Sequence, residues 1–239
     1  APRSCCASGS ASTHTPRKGR SLAKYDPTLV IGLGRFGRAL AETLTNLGAE
    51  VMGVDVSPRI VQTCTAGMTH VVQADATDVE ALRQIGAADF RKAVVAIGND
   101  VQASILATYS LVDLRIPRIW AKAITAEHGA ILERVGAHRV VFPERDMGVR
   151  VAHTMLGRTI DYIELDEDFV LIETTAPREI VGKTLEEAKV RKRHRVTIAC
   201  IKRPGGHFTY ATPETVVQDG DLVVIAGDVR SAEAFAALD

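Results

Sequence analysis

The sequence predicts an α/β fold: a Rossmann-like, doubly wound parallel sheet followed by a second, smaller α+β domain. In the first part of the chain, short apolar runs alternate with segments of helical periodicity, which indicates strands alternating with helices. A glycine-rich turn over residues 32–37 joins the first apolar run to the first helical segment. After Pro143 the alternation stops, strands dominate, and Pro204-Gly205-Gly206 is typical of a hairpin turn.

The first strand–helix–strand unit has the spacing of a dinucleotide-binding fold. Thr28–Ile31 is predicted to be a buried strand, and a second strand over Val51–Val54 ends next to Asp55. The helix between them has apolar residues at helical spacing and ends at a glycine: Leu40, Leu44, Leu47 and Gly48. The G-x-G-x-x-G pattern therefore lies between a strand and a helix, with an acidic residue about 20 positions on, and this context makes the pattern specific.

Four more strands and four more helices complete the predicted first domain. The strands are predicted over Val71–Gln73, Ala93–Ile97, Ile119–Ala123 and Arg139–Phe142. One helix starts at Ser57-Pro58, and another starts with a capping-box pattern over Thr77–Glu80 and ends near Gly86. The inward-facing residues predicted for the other two helices are Ile105, Leu106, Leu111 and Leu114, then Ile131, Leu132 and Val135. Such a sheet binds nucleotide at the carboxyl ends of its strands.

The second part of the chain is predicted to be smaller and richer in strands. Residues Glu144 to Arg158 are expected to form one connector helix. Strands are predicted over Phe169–Thr174, Val196–Ile201, Phe208–Ala211 and Leu222–Ala226, with a charged helix over Leu185–Arg195. The predicted organisation is a disordered tail over residues 1–24, a nucleotide-binding lobe over 25–143, a connector over 144–160 and a C-terminal lobe over 161–239.

Composition and charge argue against several classes of protein. The 29 basic and 29 acidic residues balance, which argues against a nucleic-acid partner or a polybasic membrane role. The cysteines at positions 5, 6, 64 and 200 lack metal-ligand spacing and indicate no disulfide framework, so a reducing compartment is expected. No apolar run approaches the roughly 20 residues that span a bilayer, and residues 1–24 lack the apolar core of a signal peptide.

The residue types in the glycine-rich turn suit phosphate and ribose. Gly32 allows a tight turn, Gly34 lets the backbone approach a pyrophosphate, and Gly37 lets the following helix pack closely on the strand. The helix N-terminus supplies free N–H groups and a partial positive charge. Asp55 can accept hydrogen bonds from ribose hydroxyls. These features predict a nucleotide site beside the first strand.

A series of motifs resembles the RCK domains, also called KTN domains, that regulate potassium transport. The motifs are IGLGRFGRAL, VDVSP, QADATD, VVAIGND, IWAKA and FPERDMG, in this order. In its two-lobe organisation the chain is similar to the cytosolic regulatory subunits of Ktr-type potassium uptake systems. The resemblance extends over residues 29–238, and in the C-terminal lobe it is one of outline more than of motif.

The resemblance implies regulation without catalysis. Subunits of the family form dimers that build an octameric ring on the cytoplasmic face of a membrane potassium-translocating subunit. ATP and ADP bind the N-terminal lobes, and a change in ring shape between the two states gates potassium flux. NAD(H) binds members of the wider family, and many members bind cyclic di-AMP between C-terminal lobes. The chain is therefore expected to be cytoplasmic and peripheral at the inner face of the cell membrane, with no nucleic-acid partner.

The resemblance also assigns nucleotide contacts. The residues that it places at the nucleotide are Gly32, Gly34, Arg35, Phe36, Gly37, Asp55, Asp75, Ala76, Thr77 and Lys122. Among them, Asp75-Ala76-Thr77 would line the adenine pocket and Lys122 would lie at the edge of the site. Arg35 would reach the γ-phosphate of a nucleotide held by the neighbouring subunit, and the alternative for this residue is a solvated surface arginine.

Two further ligands follow from the resemblance. Glu144 corresponds to an acidic residue that helps to bind a divalent or monovalent cation between subunits; the alternative is a first-turn glutamate favoured by the helix dipole. Arg191, with Leu185 in support, is the residue expected at cyclic di-AMP. The alternative is a solvated basic face, and Arg195 stands where many relatives carry a small residue.

Two other functions fit parts of the sequence. An NAD-dependent oxidoreductase would share the glycine-rich turn, but it needs a general acid or base near the nicotinamide. The second domain offers only His194 and His207, for which a solvated surface position is expected. A redox-sensing DNA-binding regulator would share the nucleotide fold, but it needs a basic recognition helix that the neutral charge does not indicate. The sequence therefore predicts a protein that is not an enzyme.

Overall fold

A computed structural model describes residues 25–65, 67–155 and 158–239 of the chain. These residues form two units. The first unit contains the described residues up to 122 together with residues 127–140. The second unit contains residues 123–126 together with the described residues from 141 to 239. The tail predicted over residues 1–24 lies outside the described residues.

The first unit is built on a parallel sheet, as the strand–helix alternation predicts. Its strands are β1 (Thr28–Ile31), β2 (Val51–Asp55), β3 (His70–Gln73), β4 (Lys92–Val95), β5 (Arg118–Lys122) and β6 (Arg139–Val141). Within the described residues they lie in the order β3-β2-β1-β4-β5-β6. β1 pairs in parallel with both β2 and β4, so the strand order reverses between β1 and β4. This order confirms the Rossmann-like fold and predicts a binding crevice at the carboxyl ends of these two strands.

Helices connect these strands. They are α1 (Arg35–Asn46), α2 (Pro58–Cys64), α3 (Val79–Gln84), α4 (Val101–Asp113) and α5 (Ala126–Val135). The capping box predicted from Thr77 is wrong, because Asp78 is the N-cap of α3 and accepts a hydrogen bond from the Glu80 N–H. The Thr77 hydroxyl donates to the Asp75 carboxylate instead, at 2.8 Å.

The core of the first unit lies between the sheet and its helices. The predicted inward positions are correct for Leu111 and Leu132, which are fully buried, and wrong for Leu106 and Ile131, which are 40% and 42% exposed. In α4 the other buried residues are small: Ser104, Ala107, Thr108 and Ser110. Small side chains let the helix approach the sheet closely, and the Thr108 hydroxyl is satisfied by the carbonyl of residue 104 at 2.8 Å. Apolar periodicity therefore predicts the burial of Leu111 correctly but misses the small buried residues of this helix.

The second unit contains an antiparallel sheet. Helix α6 (Pro143–Met155) precedes its strands, which are β7 (Thr159–Asp166), β8 (Phe169–Thr175), β9 (Thr197–Lys202), β10 (Phe208–Tyr210) and β11 (Leu222–Asp228). Two short helices, α7 (Leu185–Ala188) and α8 (Val190–His194), lie between β8 and β9, and α9 (Val229–Ala236) follows β11. Among the described residues the strand order is β10-β9-β11-β8-β7. The predicted smaller α+β domain is therefore confirmed. No helix in the described ranges combines the length and apolar character needed to cross a membrane.

Two elements of the second unit are absent from the sequence prediction, β7 and α9. The pattern of β7 is hard to recognise because its register with β8 shifts twice and most of its residues are exposed. α9 begins directly after β11, with no intervening turn residues. Asp228 ends the strand and also caps the helix, because its carboxylate accepts from the Ser231 N–H at 3.0 Å.

The single helix predicted over Leu185–Arg195 is wrong. Lys189 adopts a left-handed conformation with φ of 47° and separates α7 from α8. The buried side chains of Ala188 and Val190 explain the break. Residues two apart on a continuous helix point to different sides, so one helix could not bury both against the same core.

None of the residues of α6 is buried, so this helix does not insert side chains into a core. Side-chain contacts at its surface attach it to β7. Arg150 donates from Nε and Nη2 to the two carboxylate oxygens of Asp161, at 2.6 and 2.5 Å. One turn further on, the His153 ring stacks on Tyr162 with the ring centroids 3.8 Å apart. The hydrogen bond from Arg150 lowers the pKa of Asp161, and burial raises the pKa of Tyr162. α6 is thus held to β7 by an ion pair and a ring stack, and Nδ1 of His153 also lies 3.2 Å from Oε1 of Glu233 in α9.

The closest backbone approach at the glycine-rich turn is at Gly37. A Cβ on this residue would lie 1.9 Å from the carbonyl oxygen of Gly32 and 3.0 Å from the Cβ of Ala96. Neither neighbour is the end of a flexible side chain. α1 can therefore lie at this distance from β1 only because residue 37 has no side chain.

Gly37→Ala should lower the free energy of unfolding by about 1–3 kcal/mol, because the added methyl overpacks against the backbone of Gly32. Gly34→Ala is the matched control, since φ is −64° there and no atom lies within 4 Å of the added methyl. Urea unfolding followed by circular dichroism measures both variants. Equal stability of the two would contradict the steric role given to Gly37.

Candidate nucleotide site

The candidate site is the crevice at the carboxyl ends of β1 and β4. Two backbone hydrogen bonds continue the parallel pairing beyond the ends of the strands. The Gly32 N–H donates to the carbonyl of Val54 at 2.8 Å, and the Ala96 N–H donates to the carbonyl of Ile31 at 2.7 Å. Gly32 then turns the chain with φ of 88°, a conformation that favours glycine. The start of the turn is therefore fixed between both neighbouring strands.

The beginning of α1 leaves backbone donors exposed. Gly34 is the N-cap, so no side chain caps the helix. The first N–H groups of a helix have no intrahelical acceptor, and nothing lies within 4 Å of the position that a Cβ of Gly34 would occupy. A phosphate can therefore approach this backbone and accept hydrogen bonds from it.

Asp55 holds the turn from the side of β2. Its Oδ2 accepts from the Leu33 N–H at 2.8 Å, and its Oδ1 accepts from the Ser57 N–H at 2.9 Å. A carboxylate has about four acceptor positions, so two positions remain for ribose hydroxyls without loss of either bond. The 20-residue spacing in the sequence indicates the ribose contact, whereas nothing in the pattern indicates these two backbone contacts.

Lys122 brings a buried positive charge to the other side of the crevice. It ends β5, is 8% exposed, and its Nζ lies 5.8 Å from the ring centroid of Phe36 in the first turn of α1. A Cβ on Gly98, which follows β4, would lie 2.9 Å from this Nζ. Gly98 therefore makes room for the lysine, a role that sequence reasoning missed. The only sequence signal for it is a glycine directly after the apolar run of β4.

Arg35 occupies the first position of α1 and is exposed. No described residue forms an ion pair or a hydrogen bond with its side chain. The next arginine of the helix, Arg38, is different, because its Nε donates to Glu42 at 2.8 Å. The Arg35 guanidinium is thus available for a contact outside the first unit.

The segment Asp75-Ala76-Thr77 follows β3 and forms a tight local turn. The Asp75 Oδ1 accepts from both the N–H and the hydroxyl of Thr77, at 2.9 and 2.8 Å. Ala76 is buried, while the side chain of Asp75 is exposed. A backbone bond from the Ala74 N–H to the carbonyl of Asp55, at 3.2 Å, connects this turn to the end of β2. The turn therefore lies next to the strand that carries Asp55.

The residues expected at other ligands lie in the second unit. Glu144 is exposed in the first turn of α6, and the described residues contain no group of three or more His, Cys, Asp or Glu that could hold a metal ion. Arg191 is exposed, and its Nε donates to the Thr197 hydroxyl at 3.0 Å. Leu185 packs partly against the core of the second unit. The described residues of a single chain thus bring no such cluster together at Glu144.

The histidines do not form a catalytic arrangement among the described residues. His128 is buried in α5, and burial lowers its pKa, which favours the neutral ring at pH 7. His207 is exposed, as predicted. His194 is not the predicted solvated residue, because its Nε2 lies 2.6 Å from Oε1 of Glu179 and its ring contacts Phe235 edge-on. It is part of the packing of the second unit.

Both units match known domain families. The TrkA-N domain matches residues 28–143, and the TrkA-C domain matches residues 169–238. The crystal structure of the GsuK RCK domain shares the fold, with a TM-score of 0.64 at 20% identity; the likeness covers 91% of this chain and 49% of that chain. The chain therefore spans about half the length of that solved chain, and this likeness supports the fold alone.

Curated relatives match nearly the whole chain. Ktr system potassium uptake protein A of Bacillus subtilis (strain 168) is 36% identical over 207 residues, which cover 86% of this chain and 93% of the relative. Ktr system potassium uptake protein C of the same strain is 35% identical and covers 86% and 94% respectively. Both relatives are potassium uptake proteins, and the prediction that this chain is not an enzyme is confirmed. The two matched domains and these relatives show that the chain belongs to the TrkA-N/TrkA-C family of RCK proteins, which includes the Ktr system potassium uptake proteins A and C.

Proposed function

We propose that this chain is a regulatory subunit of a Ktr-type potassium uptake system, which senses ATP and ADP and gates a membrane potassium-translocating subunit. The observation that supports nucleotide sensing most directly is the uncapped N-terminus of α1, which follows a glycine turn and has Asp55 beside it. The 36% identity to a potassium uptake protein supports the class of function. Together they favour a cytoplasmic subunit, peripheral at the inner face of the cell membrane.

The crevice has the charges that a nucleotide needs. Phosphates would accept from the N–H groups of residues 34–37 and lie near the buried ammonium of Lys122, while ribose hydroxyls would donate to Asp55. NAD(H) would use the same phosphate and ribose contacts and is the second candidate ligand. A 2′-phosphate would meet the carboxylate of Asp55 and be repelled.

Arg35 supplies the means by which the protein would distinguish ATP from ADP. Its side chain is exposed in the first turn of α1 and would reach a γ-phosphate held by a neighbouring subunit. An arginine–phosphate contact is charge-assisted and can be bidentate. Because ADP lacks the γ-phosphate, this contact would favour one of two ring shapes only when ATP is bound.

Two further ligands belong to the proposal. A divalent or monovalent cation would bind Glu144 together with residues of a second copy, since one chain provides no cluster in its described residues. Cyclic di-AMP would bind between C-terminal lobes at Arg191. The single hydrogen bond of Arg191 to Thr197 leaves most of its donors for a ligand, whereas Leu185 is partly used by the core.

The protein should bind ADP and ATP and discriminate against nucleotides with a 2′-phosphate. Isothermal titration of the purified protein with ADP, ATP, NAD and NADP measures this preference. Asp55 predicts weaker binding of NADP than of NAD, because the extra phosphate meets a carboxylate. NADP binding as tight as that of ADP would overturn the assignment of this site.

Arg35→Ala should bind ADP normally, because the turn and Asp55 are unchanged. It should lose most of its preference for ATP over ADP, by about 1.5–3 kcal/mol, the worth of a hydrogen bond to a charged group. Arg38→Ala is the matched control, since Arg38 is an exposed arginine of α1 that pairs with Glu42. Titration calorimetry and small-angle scattering measure the preference and the change in shape. If Arg35→Ala retained both, the arginine would have no role in sensing.

The protein should be a dimer that builds an octameric ring, because a contact between subunits is needed for Arg35 to reach a nucleotide and for a change in shape to be transmitted. Multi-angle light scattering at micromolar concentration, with ATP present, gives the mass directly. A mass of one chain under these conditions would rule out sensing between subunits.

A further inference from the structure

Asp55 makes contacts with the protein backbone that ribose binding does not explain. Its two carboxylate oxygens accept from two different backbone N–H groups, those of Leu33 and Ser57, at 2.8 and 2.9 Å. Leu33 lies inside the glycine-rich turn, and Ser57 is the N-cap of α2. The Ser57 side chain makes no capping hydrogen bond, and its carbonyl accepts from the Val61 N–H at 3.1 Å, so the bond to Asp55 is what engages the N–H of this N-cap residue.

An asparagine could not make both contacts. Its side chain has one carbonyl oxygen, and its NH₂ group only donates. One of the two backbone N–H groups would then face a donor and lose its acceptor. The geometry therefore requires two acceptor oxygens at residue 55 whether or not a nucleotide is bound.

The bond to Leu33 also determines which backbone donors remain for phosphate. The Gly32 N–H is engaged with the carbonyl of Val54, and the Leu33 N–H is engaged with Asp55. Gly34 follows these two residues as the N-cap of α1. The two engaged amides anchor one side of the turn, while the first turn of α1 keeps its donors without an intrahelical acceptor.

We propose that Asp55 is a positioning residue, which shapes the glycine-rich turn for phosphate before any nucleotide binds. This proposal rests on the proposed nucleotide function and extends it from ribose recognition to the preparation of the phosphate site. A rigid, preformed turn loses less conformational freedom when a ligand binds. Asp55 therefore strengthens the binding of ligands that have phosphates but no ribose hydroxyls.

The experiment compares wild type with Asp55→Asn, using ADP and 2′,3′-dideoxy-ADP, which lacks both ribose hydroxyls. If Asp55 acted only through ribose, the substitution would leave the affinity for dideoxy-ADP unchanged or raise it, because a negative charge near the phosphates is removed. The proposal predicts that Asp55→Asn weakens dideoxy-ADP binding about tenfold, because a turn that has lost a backbone anchor gives up more conformational freedom when the ligand binds. Asp89→Asn, at an exposed position of the same unit, is the matched control and should bind both ligands as wild type does.

A second measurement uses ligand-free wild type and does not depend on the folding of a variant. Amide hydrogen exchange at single-residue resolution should show the Leu33 N–H protected at least about tenfold relative to that of Gly34. Equal exchange of these two amides, or unchanged affinity of Asp55→Asn for dideoxy-ADP, would overturn the positioning role. If wild type bound neither ADP nor dideoxy-ADP, the nucleotide function itself would fail. Slow exchange of the Leu33 N–H would still support the contact by which Asp55 positions the turn.

Discussion

The close approach of α1 to β1 at Gly37 is the constraint on which the candidate site depends. The carbonyl oxygen of Gly32 occupies the space that any side chain at residue 37 would need. This contact brings the uncapped N-terminus of α1 to the point where the strand order reverses, between β1 and β4. The positive end of the helix then faces the crevice at the carboxyl end of the sheet. Asp55 and Lys122 complete the site from the neighbouring strands β2 and β5.

The sequence predicts the first unit well because its signals are local and redundant. Each strand is a short apolar run, and the glycines of the turn have steric roles that a spacing can reveal, as Gly32 and Gly37 illustrate. Part of α4 is the exception. There the buried residues include Ser104, Ala107 and Thr108 as well as Leu111, while Leu106 is exposed. Hydrophobicity alone does not predict that small polar residues of this helix are buried while a neighbouring leucine is exposed.

The second unit is harder to predict because its elements depend on distant partners. Lys189 takes a left-handed conformation so that Ala188 and Val190 can both reach one core. The strand β7 has two register shifts and an exposed outer face, so no alternation marks it. His194 looks like a surface residue within a basic run, yet it packs against Glu179 and Phe235, which come from two other segments. Sequence spacing likewise shows which residues of the site lie at the ends of strands, but it does not show their contacts. The hydrogen bonds that Asp55 accepts from the N–H groups of Leu33 and Ser57 are an example.

We propose that a nucleotide bound beside β1 controls potassium transport by a separate membrane subunit. Potassium flux can be measured in proteoliposomes that contain the membrane potassium-translocating subunit together with this protein. Exchanging ADP for ATP should change the flux, and the change should disappear when this protein is omitted. Equal flux with ATP, with ADP and without nucleotide, in vesicles where the two proteins form a complex, would rule out control by the nucleotide.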